Sequence, residues 1–250
     1  MNRYKAAGIH ALLSILIVTS IMVAMYLLWY PNEYFSLMGG KLLITLIAGV
    51  DVFLGPLLTL IVYRHGKKSL RFDLACIGVV QVVAMLYGGY VMFESRPVFT
   101  VFNKDKFQIA AVVDISPDEL AKAKNPQWQI LSITGPELVA IGTPDIKDKN
   151  ETMFAKVESA SAYRYPRLYD EYKNHLDKVI KSGKPLARLS EVSEKNKLAV
   201  DQFMSKSKRP ESDFLYLPIT SELAEMSVIV DAKAGDFIEI IDAISETSIE

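Results

Sequence analysis

The side chain best placed to do chemistry is Asp51, because it stands where a carboxylate is expensive. It interrupts LIAGVDVFLGPLLTLIVY, residues 46–63, a run that is otherwise uncharged and apolar. A charged side chain near a bilayer centre costs about 3 kcal/mol on insertion scales and more in simulation. At helical spacing Ala48, Asp51, Gly55 and Thr59 share one face, and small residues on such a face let another helix approach closely. Pro56 follows Gly55 and removes a backbone hydrogen bond, which predicts a kink. The next apolar run carries Gly78, Gln81 and Gly88 along a similar stripe. Counted from the short connection between the runs, Asp51 and Gln81 fall within about one helical turn in depth. Thr19 or Ser20 of the first run comes to a similar level. Three chemistries fit. Asp51 is glue, neutral and hydrogen-bonded to Gln81; or it is a docking point for a helix of another protein; or it belongs to an ion pathway. A pathway needs several ionisable groups at depth, and these runs offer this one, so glue ranks first and docking second.

Beyond Asp51, residue types that could carry a reaction are sparse. His175 sits in a charged stretch that reads as helix surface. No nucleophile elbow of the G-x-S-x-G kind accompanies it. The pairs Asp118–Glu119 and Asp170–Glu171 read as solvated helical carboxylates. Neither metal-ligand spacing nor a phosphate-cradling glycine loop is present. Cys76 is the one cysteine, so no disulfide framework can form within the chain. Tyr163, Tyr165, Tyr169 and Tyr172 in YRYPRLYDEY read as packing rather than as a binding surface. The expectation is a protein with no catalytic site, no metal and no cofactor.

The elements that must position Asp51 follow from hydropathy. The apolar residues crowd before residue 94. Ile9–Tyr30, Leu42–Tyr63 and Phe72–Phe93 are each long enough to cross a hydrocarbon core of about 30 Å as a helix. The first reads as an uncleaved anchor, since no small-x-small cleavage site follows it before WYPNEY. Arg3, Lys5, Arg64, Lys67, Lys68 and Arg71 lie on one side of these runs, and Lys41 and Arg96 on the other. Basic loops stay cytoplasmic. This places the N-terminus in the cytoplasm and the C-terminal part outside, with Trp29, Tyr30, Tyr34 and Phe35 at the outer interface. The chain therefore divides into a membrane part, 1–96, and an outer part, 97–250, with Arg96 and Pro97 at the junction. The outer part carries 20 basic against 25 acidic residues, which argues against a nucleic-acid partner.

The outer part reads as α+β with an antiparallel sheet. VFTVF and FQIAAVV pair across an NKDK turn. SPDEL starts a helix, with Ser116 as cap and Glu119 closing a capping box. WQILSIT and LVAIG read as strands, 165–181 and 189–204 as helices, DFLYLPI as a strand, and SVIVDAKAGDFIEIIDAI as a hairpin.

Four stretches carry a resemblance: GVDVFLGPLLTLIV, KSLRFDLACIGVVQ, YGGYVMFESRPVFTVF and, more weakly, FLYLPI with VIVDAKAGDFIEIID. Over about residues 46–103 the chain resembles the TfpX/TfpZ family of type IV pilin accessory proteins. Asp51, Gly55-Pro56, Asp73, Gln81 and Arg96-Pro97 match that pattern position by position. The resemblance implies a bacterial inner-membrane protein with a periplasmic domain. It assists type IV pilus assembly by acting on a cognate major pilin, and it catalyses no known reaction. Its partners would be that pilin, the lipid bilayer and other pilus assembly components. On this reading Ala48, Asp51, Gly55, Pro56, Gly78 and Gln81 face the pilin helix, and the outer domain meets the pilin head. Two other classes stay open: a membrane sensor whose outer domain binds a ligand, and an enzyme that modifies pilin or lipid.

Overall fold

Three apolar helices lead the chain. The computed structural model describes residues 2–142 and 161–245; residues 143–160 and 246–250 of the expected outer part lie outside that description. Helix α1 spans Arg3–Leu28, a one-turn α2 spans Tyr34–Leu37, and α3 and α4 span Gly40–Val62 and Leu70–Glu94. The long three are of membrane-crossing length and hydropathy. Asn2 caps α1 by accepting the N–H of Lys5, so the helix starts at Arg3 and not at Ile9. Helix α3 is central, with α1 packed on one flank and α4 on the other. Many of their leucines, isoleucines and valines stay exposed, as residues facing lipid would.

An eight-stranded sheet follows, ordered β4-β3-β1-β2-β6-β7-β8, with the two-residue β5 pairing β6. The strands are β1 Pro97–Asn103, β2 Lys106–Ala111, β3 Glu137–Ile141, β4 Tyr169–Glu171, β5 Lys184–Pro185, β6 Phe214–Thr220, β7 Glu225–Asp231 and β8 Phe237–Ile241. The sheet is mixed, which corrects the antiparallel expectation. β1 runs parallel to β3, and β2 parallel to β6. The hairpins β1–β2 and β7–β8 stand where the sequence puts them. Parallel neighbours need long crossovers, and local turn signals carry no trace of those. Helix α5 is one turn, Pro117–Leu120, capped by Ser116. Residues 128–134 form no strand; a 3-10 turn at Pro126–Gln129 leads into a loop. The stretch 165–181 is α-helical only at its end, in α6, Leu176–Ser182, because a 3-10 turn at Pro166–Leu168 leads into strand β4 and a second, Tyr172–His175, follows it. The expected helix over 189–204 divides at Ser193 into α7, Leu186–Val192, and α8, Glu194–Lys206.

Strand alternation fills both faces of the sheet. On one face Phe102, Phe107, Ile109, Leu217, Ile219, Val228 and Val230 pack with Val179 of α6. On the other, Phe214, Tyr216 and Ile229 meet Leu186, Leu189, Val200 and Phe203 of α7 and α8, while Val101, Ala110 and Val139 meet Trp128, Tyr163 and Tyr169. His175, expected on the surface, is buried, its Nε2 3.0 Å from Asp170 Oδ2. The reason is β4: it ties residues 169–171 into the sheet edge and turns the following residues inward.

The first core is not built from the sheet region alone. Leu37 of α2, in the connection between α1 and α3, is fully buried in it. Ser221 Oγ donates to the Leu37 carbonyl at 2.7 Å, and the hydroxyls of Tyr34 and Thr100 meet at 2.7 Å. Leu37→Ala should therefore destabilise the sheet by about 2–5 kcal/mol, the usual range for a buried leucine. Denaturant unfolding of the purified chain checks this, with exposed Leu42→Ala as a near-neutral reference; equal midpoints for both would remove α2 from the core.

Asp231 supplies a pH test of the β7–β8 turn. Its Oδ1 accepts the N–H groups of Ala234 at 2.7 Å and Lys233 at 2.8 Å, and its Oδ2 lies 2.7 Å from Arg209 Nη2. The Ala234 N–H, with Arg209 and the Lys233 N–H, holds the carboxyl at about 2, against 3.8 for a free one. A depressed folded value gives stability that is present above the unfolded value and lost as pH falls through the folded one. Asp231→Asn should thus be less stable than the parent at neutral pH and level with it near pH 2, the difference closing between 3.8 and about 2. A difference that persists unchanged to acid would refute this assignment.

Candidate functional site

The site begins with a break in helix regularity. Residues Gly49–Leu54 of α3 form a π-helical turn, where the sequence predicts only a kink at Gly55-Pro56. In a π turn the N–H of residue i+5 donates to the carbonyl of residue i. Gly55 does this, donating to the Val50 carbonyl. The next donor in that register would be residue 56, and proline has no N–H. The Asp51 carbonyl is thereby left without an intrahelical donor, and Gln81 of α4 supplies one. Its Nε2 donates to the Asp51 carbonyl at 3.3 Å and to Asp51 Oδ1 at 3.2 Å. One side-chain amide thus serves both the backbone and the carboxyl of the same residue.

Gly55 makes that approach possible. A Cβ placed there would lie 2.2 Å from Gln81 Nε2, so any larger residue displaces the amide. Gly55, Pro56 and Thr59 are buried with Asp51, while Ala48 is half-buried one turn earlier. On the other flank, His10 Nδ1 of α1 meets Thr59 Oγ1 at 2.7 Å. Neither Thr19 nor Ser20 reaches Asp51: Ser20 is exposed and donates to the Leu16 carbonyl. Because α1 starts early, its polar residues at the site are His10 and Ser14. Sequence reading missed both, although a polar His and Ser in an apolar run are a usable signal.

Asp51 itself is 5% exposed. Its Oδ2 is buried and has no hydrogen-bond partner among the described residues. Asp51 lines a groove of about 230 Å³ between α1 and α4, together with His10, Ser14, Val18, Gly78 and Gln81. A Cβ on Gly78 would touch nothing within 4 Å, so Gly78 widens this groove and holds no packing contact. A second cavity, about 350 Å³, lies between α3 and α4 on the other side of Asp51 and includes Ile47, Tyr87 and Gly88. The arrangement brings Asp51, Gly55, Pro56 and Gln81 into one cluster, sets Gly78 on the groove wall, and leaves Ala48 outside both cavities.

Arg96 and Pro97 stand apart from this cluster and anchor the helices to the sheet. The Arg96 guanidinium lies 3.7 Å over the Phe93 ring. Its Nη1 donates to the Phe93 carbonyl at 2.7 Å and its Nε to the Ser132 carbonyl at 3.3 Å. The cation therefore satisfies the C-terminal end of α4 while gripping the loop after the 3-10 turn. Pro97 opens β1 at once. Tyr30, expected at a lipid interface, is fully buried and donates to the Met92 carbonyl at 2.6 Å. No group of three or more His, Cys, Asp or Glu residues able to hold a metal occurs among the described residues.

No family model and no solved structure matches the chain. Three curated proteins of Dichelobacter nodosus do. The fimbrial assembly protein of serogroup E1 is 32% identical over 232 residues, 91% of this chain and 90% of that protein. The fimbrial assembly protein of serogroup I is 31% identical over 232 residues, with the same coverage of each chain. The fimbrial assembly protein of serogroups C1 and C2 is 39% identical over 121 residues, 48% of this chain and 92% of that shorter protein. Two relatives above 30% identity, matched over nine-tenths of both chains, place this chain in the family of fimbrial assembly proteins.

Proposed function

We propose that this chain is a type IV pilus accessory protein of the TfpX/TfpZ kind, acting in pilus biogenesis as a membrane-embedded chaperone for its cognate major pilin. It sits in a bacterial inner membrane with its N-terminus cytoplasmic and its sheet domain periplasmic. It holds the pilin's apolar helix in the groove between α1 and α4, and no catalytic step is involved. The observation that carries this reading is the buried Asp51 Oδ2 without a partner among the described residues, on a residue that lines a groove walled also by Gly78 and Gln81. In a bilayer an unsatisfied polar atom favours a helix that brings it a donor, at about 1 kcal/mol or a little more per interhelical hydrogen bond. Small groove walls add close backbone contact. The names of the relatives supply the fimbrial context, and the paired positions from Asp51 to Pro97 supply the resemblance to pilin accessory proteins.

Photo-crosslinking in membranes tests the reading. A crosslinking residue at Val82, in the groove wall, should capture the major pilin. One at Phe53, exposed and lining neither cavity, should not. Gly78→Leu fills the groove from a position with free space around it, so it should keep membrane abundance and abolish the Val82 crosslink. Equal capture from Phe53 and Val82, or an undiminished Val82 crosslink in Gly78→Leu, would overturn the groove as the pilin site.

A further inference from the structure

Among the described residues the sheet domain carries few exposed large apolar side chains, and four of them stand on loops at one end. Val113, Ile130, Ile133 and Leu223 are 71%, 73%, 64% and 70% exposed. They come from three separate connections: the turn after β2, the loop before β3, and the β6–β7 link. Val113, Ile133 and Leu223 each lie beside or make a contact with the ends of the apolar helices, and Ile130 stands on the same loop as Ile133. Val112, next to Val113, donates its N–H to the Arg96 carbonyl at 3.2 Å. Ser132, next to Ile133, accepts from Arg96 Nε at 3.3 Å. Gly135, with φ +77°, turns that loop against Pro31, where a Cβ would stand 3.2 Å from the proline ring. The side chain of Leu223 reaches Gly39, at the start of α3, so closely that a Cβ there would clash with it at 2.6 Å. Arg96, Pro31 and Gly39 mark the ends of α4, α1 and α3 on the same side of the helix group.

Four bulky apolar residues on unrelated loops have no folding reason to be exposed together, and scattered single ones are the norm. Here they continue the apolar surface of the helices outward past the helix ends. We propose that Val113, Ile130, Ile133 and Leu223 form an apolar collar that sits in the acyl and headgroup boundary of the adjoining leaflet and seats the sheet domain on the bilayer. The proposal rests on the reading of the three helices as membrane spans. The occupant is lipid, because the collar is continuous with the lipid-facing helix surface at the level where that surface ends. Apolar side chains on a folded support bind such a boundary through buried area. The collar fixes the height and tilt of the sheet domain over the membrane, and so where anything bound by the helices meets that domain.

The test places an environment-sensitive fluorophore on single cysteines in the full chain, with Cys76→Ser as background, in nanodiscs whose lipids are brominated along the acyl chain. The positions are Ile133→Cys, Leu223→Cys, Val83→Cys on the exposed surface of α4, and Lys233→Cys. Lys233 lies beyond the far end of β7 from Leu223, a strand length of roughly 23 Å away. Expected are quenching and a blue shift at Val83, Ile133 and Leu223, and neither at Lys233. Quenching at Val83 with Ile133 and Leu223 as dark to the lipid as Lys233 would overturn the collar while leaving the spans intact. Absence of quenching at Val83 as well would overturn the membrane reading on which the collar rests. In chains labelled at the neighbouring Thr134→Cys and Glu222→Cys, quenching that disappears when Ile133→Asp and Leu223→Asp are added supports apolar seating; quenching unchanged by those charges would contradict it.

Discussion

Pro56 has no N–H, and in the π register of Gly49–Leu54 that leaves the carbonyl of Asp51 without a donor. The bond that Gln81 makes to this carbonyl, and to the carboxyl beside it, is the contact on which the group of apolar helices turns. It requires α4 to lie close to α3, which requires glycine at position 55. It occupies Asp51 Oδ1, while Oδ2 stays buried without a partner among the described residues, on a side chain that lines the groove. A cleft lies between α4 and α1 beside this contact. A helix fault, a glycine and a single amide thus convert three apolar helices into a surface with one defined polar point. An unsatisfied backbone or side-chain polar group costs several kcal/mol in hydrocarbon when nothing replaces water. The carbonyl's cost is met within the chain, and half of the carboxyl's is left over, to be met from outside on the reading proposed above.

The helices and the sheet share their structure at the junction. Leu37 enters the sheet core from the α1–α3 connection, Tyr34 reaches Thr100, Tyr30 reaches the end of α4, and Arg96 ties that end to Ser132. Buried polar groups here are bonded across the boundary between the two parts, so a shift of a helix end moves a sheet residue with it. On the reading proposed above, that stiffness relates a helix held among these helices to a globular head beside the sheet. A flexible linker at Arg96-Pro97 would lose this relation; a buried guanidinium stacked on Phe93 keeps it.

Much of this was legible in the chain. Hydropathy runs locate the second and third long helices within two residues and the first all but its opening six, and the turn chemistry of NKDK and DAKAGD locates two hairpins. Asp51 and Gln81 stand out because a polar residue in an apolar run is visible without any structure, and Gly55 because it is small and one turn from Asp51. What failed had physical causes. Parallel pairing of β1 with β3 and β2 with β6 is a long-range choice made by crossovers, and no local pattern encodes it. The tyrosines around Pro166 have helical spacing but extended and 3-10 backbone, because tertiary packing against Phe99 and Trp128 overrides the spacing. The π turn was hidden because a proline predicts a missing bond but not which carbonyl loses it. Leu37 was hidden because a loop residue's burial depends on a partner from another part of the chain.

The account's central claim is that Asp51 acts by hydrogen bonding in the groove. The most direct test is pilus yield in cells carrying Asp51→Asn or Asp51→Leu at matched membrane abundance. Asparagine keeps a polar side chain for Gln81 and for a bound helix, while leucine removes both. The account predicts normal piliation with asparagine and a clear loss with leucine. Normal piliation with leucine would contradict it, and so would equal failure of both, which would show that Asp51 works as a charge.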